Sequence, residues 1–203
     1  KRQATVGDLS AVVTGVLLAF NLPAGIPWWI VVIGALIAIG IGKMTYGGLG
    51  TNPFNPALTG RIFLLMAYPV EMTDWTTSIP DSLSGSTMLA EVKYNPALAS
   101  ELNFTEMFGG YMNGSMGEIS ALALILGGLY LLWRKVITWH IPVSILLTMA
   151  LFAMGYAIGF GGSLIYELPL FHLLAGGALL GAIYMATDYS TSPMTHKGMI
   201  IYG

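Results

Sequence analysis

The run Asp81-Ser82-Leu83-Ser84-Gly85-Ser86-Thr87 sets hydroxyl side chains on both sides of a glycine. A serine or threonine hydroxyl can carry a phosphoester, and a neighbouring glycine allows the tight backbone that presents the oxygen to a modifying enzyme. Ser84, Gly85, Ser86 and Thr87 are therefore candidate attachment residues. The plain alternative is a polar turn built from small residues, and four such residues alone make a weak motif.

A second constellation is Gly47-Gly48-Leu49-Gly50-Thr51-Asn52-Pro53-Phe54-Asn55-Pro56. Proline suits a first helical turn. With Asn52 as cap and Asn55 close behind, the free amides and the positive end of the helix dipole could hold an anion or ligand. An ordinary capped helix start explains the same residues. The run from Thr187 to Pro193 loosely echoes this break, and two Pro-broken polar turns are compatible with inverted repeats around a central site.

Isolated charges complete the candidates. Arg61 falls about two turns into an apolar run, where a guanidinium needs a partner. It reads either as the counter-charge of a bound phosphate or flavin, or as paired with Asp8, Asp188 or a backbone carbonyl, with Leu64 beside it reading as lipid-facing. Asp188, Glu118 and Asp8 are candidates for ion coupling, and Glu167 a weaker one, although carboxylates at helix ends are usually just solvated. His140, His172 and His196 lack ligand spacing, so no metal site is expected. The methionines are scattered along apolar runs as space-fillers.

The elements that must position these residues are apolar. Of 203 residues 55% are hydrophobic and 9% charged, with a mean hydropathy of +0.73, which places the chain in a bilayer as a single transmembrane domain over 1–203. Cysteine is absent, which excludes disulfides, thiolate catalysis and cysteine-held clusters. A net charge of -2 without a basic patch leaves no footprint for nucleic acid.

Apolar runs at Ile26–Gly42, Pro53–Pro69, Gly117–Trp133, Ile141–Gly159 and Leu168–Ala186 approach the ~20 residues of a spanning helix. The run Leu9–Leu22 is shorter and ends at Pro23-Ala24-Gly25, as the tail of a helix or a half-helix would. Glycines along the spans, Gly34, Gly127, Gly128, Gly176 and Gly177 among them, allow close helix packing. The expected fold is an all-α integral membrane protein, a multi-span helical bundle with broken helices. The chain opens Lys1-Arg2-Gln3 and stops at Gly203 just after an apolar turn, so it reads as a fragment of a longer subunit.

Threading the spans puts Lys1, Arg2, Lys43, Arg134, Lys135 and Lys197 on one face and Lys93 on the other. The positive-inside rule makes the first face cytoplasmic. Residues 70–116 then form an exterior loop, rich in carboxylates and long enough to be functional. Its aromatic residues Trp75, Tyr94, Phe104, Phe108 and Tyr111 suit interfacial anchoring or packing on a planar cofactor.

Asp8-Leu9-Ser10-Ala11-Val12-Val13-Thr14-Gly15, the run from Gly48 to Leu58, and Ala186-Thr187-Asp188 before Ser192-Pro193 carry a resemblance that runs end to end. The chain resembles RnfD, the D membrane subunit of the Rnf electron-transport complex, and, more distantly, NqrB, the B subunit of the sodium-translocating NADH:quinone reductase. The resemblance implies FMN bound covalently through its phosphate to Thr87, in a Ser-Gly-Ala-Thr type sequence in which Ser86 replaces the usual alanine. It also admits a second, noncovalent flavin. It implies partner subunits bearing iron-sulfur centres and flavin, a bacterial inner membrane with the flavin loop outside, and electron flow coupled to export of sodium ions or protons. On that reading the chain is one component of a ferredoxin:NAD-type oxidoreductase and translocase rather than a stand-alone enzyme. The rival is a channel or carrier with broken helices, and a third reading is an anchor that only positions partners.

Overall fold

A computed structural model describes residues 6–75, 87, 104–110, 114–159, 167–175 and 177–203. Every regular element among them is helical. Helix α1 (Ser10–Phe20) leads through Pro23-Ala24-Gly25 into α2 (Trp28–Leu36). The latter continues without a break as a wider π-helix over Ile37–Met44, where Thr45 N–H bonds Gly40 and Gly48 N–H bonds Lys43, five residues back. The glycine-rich connection comes next, with Gly47, Gly48 and Gly50 at positive φ, a conformation in which a Cβ would be strained.

Helix α3 (Pro56–Ala67) starts three residues later than Pro53 would set it. Its cap is Asn55, whose side-chain oxygen accepts from Ala57 N–H and Leu58 N–H with Pro56 in the first turn. Asn52 does not cap this helix; its amide instead donates to the Phe54 carbonyl at 2.9 Å. The reason is the left-handed glycines, which keep the chain turning as far as the second Asn-Pro pair. Short α4 (Pro69–Thr73) and α5 (Phe104–Gly109) lie within the segment read as a loop.

In the second half, α6 (Ala121–Trp133) is capped by Ser120. Helix α7 (His140–Gly159) is the one described helix long and apolar enough to cross a membrane alone. At 20 residues it spans about 30 Å, the thickness of a hydrocarbon core. Only 22% of its apolar window is buried inside the protein, and Leu147, Leu151, Phe152 and Ile158 face outward, which suits contact with lipid.

The run Leu168–Ala186, expected as one span, is two pieces. Helix α8 (Glu167–Leu174) stops before Ala175 and Gly177, and α9 (Ala178–Leu180) resumes into a second π-helix, Gly181–Met185. Continuous hydrophobicity conceals the break, because the interrupting residues are themselves small and apolar. Helix α10 (His196–Tyr202), capped by Thr195, packs on α7.

Two apolar clusters hold the bundle. Leu18, Leu22, Ile30, Ala38, Ala57, Leu64 and Met72 form the first, and Met107, Ala121, Phe171, Leu174, Leu179 and Ile183 fall in the second. Leu64, which reads as lipid-facing, is fully buried against Gly34. The first half packs closely because Gly60 sets α3 against α2: a Cβ there would lie 2.9 Å from both the Ala38 Cβ and the Gly34 carbonyl. Met185, at the end of the second π-helix, joins the first cluster and so ties the halves together.

Candidate functional site: a buried polar junction

The ends of α1, the interior of α3, the entry to α6 and the break before α9 converge on one polar group. Asn21, 1% exposed, follows α1. Its amide donates to the Leu17 carbonyl at 2.7 Å and toward the Met185 sulfur at 3.7 Å. That fixes its oxygen, which accepts from Arg61 Nη1 at 2.9 Å. Arg61 Nη2 lies 3.9 Å from Glu118 Oε1, the one ion pair among the described residues. The side chain of Glu118 is 6% exposed and that of Arg61 32%.

Glu118 is buried because the chain before α6 folds inward, with Gly117 N–H donating to the Phe20 carbonyl at 2.8 Å. Glycine is required there, since a Cβ would meet Phe20 Cβ at 2.5 Å. The carboxylate rests against glycine backbone, with Gly177 on one side and Gly114 on the other. Ser115, in the same turn, is fully buried and its hydroxyl has no hydrogen-bond partner among the described residues. Nearby, the Asn55 amide donates to the Met185 carbonyl at 3.4 Å, so the cap of α3 also grips the second π-helix.

The sequence candidates thus separate. Arg61 and Glu118 come together, and neither Asp8 nor Asp188 pairs with Arg61 as the sequence suggested. Asp8 is exposed and accepts from the Ser10 backbone and hydroxyl, which hold its carboxyl below the usual carboxylate range. Asp188 is half-buried and binds Ser190 and Thr191, closing its own turn. Asn55 reaches the junction, whereas Asn52 is buried beside it in its own turn. Thr87 is half-buried and outside any helix. Ser84, Gly85 and Ser86 lie outside the described residues, as does the side chain of Glu167. His140 stacks between Trp139 and His196, at ring centroid distances of 4.2 and 4.5 Å.

Asn21 and Ser115 were missed by the sequence reading. Asn21 sits two residues before Pro23, and an asparagine at a helix end reads as a cap and no more. Chemically, the junction holds one negative and one positive charge in a low-dielectric setting. Their separation of 3.9 Å exceeds the ~2.7–2.9 Å of a charge-assisted hydrogen bond, so the pair is an ion contact without a hydrogen bond.

Broken helices around a buried polar group, on a bundle whose longest helix faces outward, define an all-α membrane protein. The particular lineage is clear from comparison. Residues 1–203 match the NQR2, RnfD, RnfE family, and the chain belongs to it. It is 50% identical to the D subunit of the Na(+)-translocating ferredoxin:NAD(+) oxidoreductase complex of Acetobacterium woodii, over 100% of this chain and 61% of that protein. Identity is 43% to the D subunit of the proton-translocating ferredoxin:NAD(+) oxidoreductase complex of Clostridium ljungdahlii, over 98% and 62%. It is 40% to the D subunit of the ion-translocating oxidoreductase complex of Stutzerimonas stutzeri, over 96% and 63%. The chain therefore spans less than two thirds of the length of these relatives.

Proposed function

We propose that this chain is the flavin-bearing part of the D subunit in an ion-translocating, ferredoxin:NAD-type electron-transport complex of a bacterial inner membrane. The observation that carries this reading is the match, across the whole chain, to D subunits of complexes named for that activity. Thr87 is the proposed site of FMN, attached by a phosphoester. Its partly exposed position outside any helix fits the requirement that a modifying enzyme reach the hydroxyl.

FMN bound there would supply one-electron chemistry, with the protein setting its position and surroundings. The chain's own contribution is a rigid helical support. Iron-sulfur and flavin subunits would be its partners, and residues 70–116 would face the exterior. The test is the intact mass of the protein expressed with its flavin-transferring enzyme. Thr87→Ala should lose the mass of FMN and in-gel fluorescence, while Ser84→Ala and Ser86→Ala keep at least part of both. A fluorescent Thr87→Ala band would place the flavin elsewhere.

The polar junction favours a second reading, a pathway for a small solute or ion through the broken helices. Solute flux through reconstituted protein lacking flavin would support it.

A further inference from the structure

Helix α6 ends in a reversal in which Lys135 N–H bonds the Leu132 carbonyl and Val136 N–H the Leu131 carbonyl, each at 3.0 Å. Lys135 takes the left-handed position, at φ 57°, where glycine is the usual residue because a Cβ is strained there. A strained residue of this kind suggests a functional constraint on its side chain. Arg134, just before it, already supplies the cation that suits a helix C-terminus. Both residues are exposed, and neither meets a carboxylate among the described residues.

The turn lies at headgroup depth, since α7 begins shortly after it and is itself about as long as a hydrocarbon core is thick. Trp133 and Trp139 flank it at 77% and 56% exposure, as anchors at a membrane interface do. The stack of Trp139, His140 and His196 fastens the start of α10, and with it exposed Lys197, to the same end of the bundle. Beyond the turn α6 and α7 both pack on the second π-helix. A cavity of about 520 Å³ lies between them, lined by Phe104, Phe108, Ile125, Leu146, Leu170 and Leu174 among others. Ile125 and Leu146 are about 9–12 Å along their helices from the turn. Phe108 and Leu170 are themselves exposed, so the cavity opens at the protein surface.

We propose that this end of α6 and α7 binds an anionic membrane phospholipid, its phosphate held by Arg134 and Lys135 and one acyl chain seated in the apolar cavity. Charge complementarity selects the headgroup, each basic residue near an anionic lipid surface being worth about fivefold in binding. The apolar cavity selects a lipid over a soluble anion. The inference goes beyond the electron-transfer reading and does not depend on flavin.

The experiment uses the complete complex in phosphatidylcholine nanodiscs with a trace of a photoactivatable lipid, either phosphatidylglycerol or phosphatidylcholine, bearing the same diazirine midway along one acyl chain. Adducts are mapped by peptide mass spectrometry. The phosphatidylglycerol probe should label Ile125 and Leu146 at least about fivefold more than the phosphatidylcholine probe, while outward-facing Phe152 is labelled alike by both. Arg134→Gln with Lys135→Gln should bring the ratio near one. Lys135→Gly, which relieves the backbone strain, should also lower it, and Lys135→Arg should keep it. Equal labelling of the cavity by the two probes, or a ratio that survives the double substitution, would overturn the proposal. So would a preference erased by inorganic phosphate but not by chloride at equal ionic strength, which would make the turn a site for a soluble anion. Should the double variant fail to assemble, the unsubstituted complex and Lys135→Gly decide. A Thr87→Ala complex should keep the preference, so failure of the flavin reading and failure of this one are read apart.

Discussion

Arg61 donates to Asn21 at 2.9 Å, joining the interior of α3 to the residue that follows α1. The bond spans 40 positions of sequence and orients the guanidinium toward Glu118. A planar, forked donor is needed to do both at once.

Replacement of Arg61 should follow that geometry. Arg61→Lys keeps the charge and loses the fork, so it should impair assembly or electron transfer less than Arg61→Ala. Both should exceed the exposed control Met66→Ala on the same helix. If the purified Arg61→Ala complex transferred electrons at the unmodified rate, Arg61 would be a bystander at the membrane surface.

Asn21→Leu keeps the branched shape with bulkier methyl groups and leaves Arg61 Nη1 without its acceptor. Loss of this part-buried hydrogen bond to a charged group should destabilise the detergent-solubilised protein by about 1.5–3 kcal/mol, measured by denaturant titration. Asn21→Asp, which can still accept, should recover part of the loss. Equal stabilities for the two variants would show that Asn21 acts through shape alone.

Asn55→Ala removes the cap of α3 together with the bond to the Met185 carbonyl. Cap loss alone costs about 1 kcal/mol, so a larger deficit is expected here. Asn52→Ala forfeits only a bond inside its own turn and should cost less. The reverse ranking in the same titration would contradict the observed helix start.

Gly60→Ala should destabilise by about 1–3 kcal/mol through overpacking, because the added methyl meets backbone as well as a side chain. Gly155→Ala, with open space at the same position on α7, should be neutral or mildly stabilising. Thermal inactivation of the two proteins distinguishes these outcomes.

Topology can be read by labelling. With residues 70–116 exterior, a cysteine introduced at Ser100 should react with an impermeant reagent in intact cells, and one at Thr138 should not. The opposite pattern would reverse the assignment drawn from basic residues.

The helical class and the placing of five of the apolar runs on helices were legible because hydrophobicity is a local property, but among the described helices only α7 reaches the spanning length expected of the others. Arg61 was legible as a charge that needs a partner, yet the partner was not, since Glu118 and Asn21 are brought to it by folding of distant segments. Glu118 reads as solvated because it lies at a helix entry; only the inward turn at Gly117 buries it. Asn52 and Asn55 present nearly the same Asn-Pro pattern, and the glycine turns decide between them. Gly177 reads as a packing glycine, whereas in the fold it opens a helix break and makes room for a carboxylate.

The two π-helices, Ile37–Met44 and Gly181–Met185, give chain length a role that composition cannot take over. A π turn holds about one residue more than an α turn. Winding the same five residues at the α pitch would turn the downstream chain by roughly 100° about the helix axis. The carbonyl that Asn55 grips would then swing out of reach with every side chain chemically intact. At this junction residue count and winding are matched: a one-residue deletion that relaxes the segment to α winding would leave the downstream aim nearly unchanged, whereas a substitution that forces α winding at the full count would redirect it.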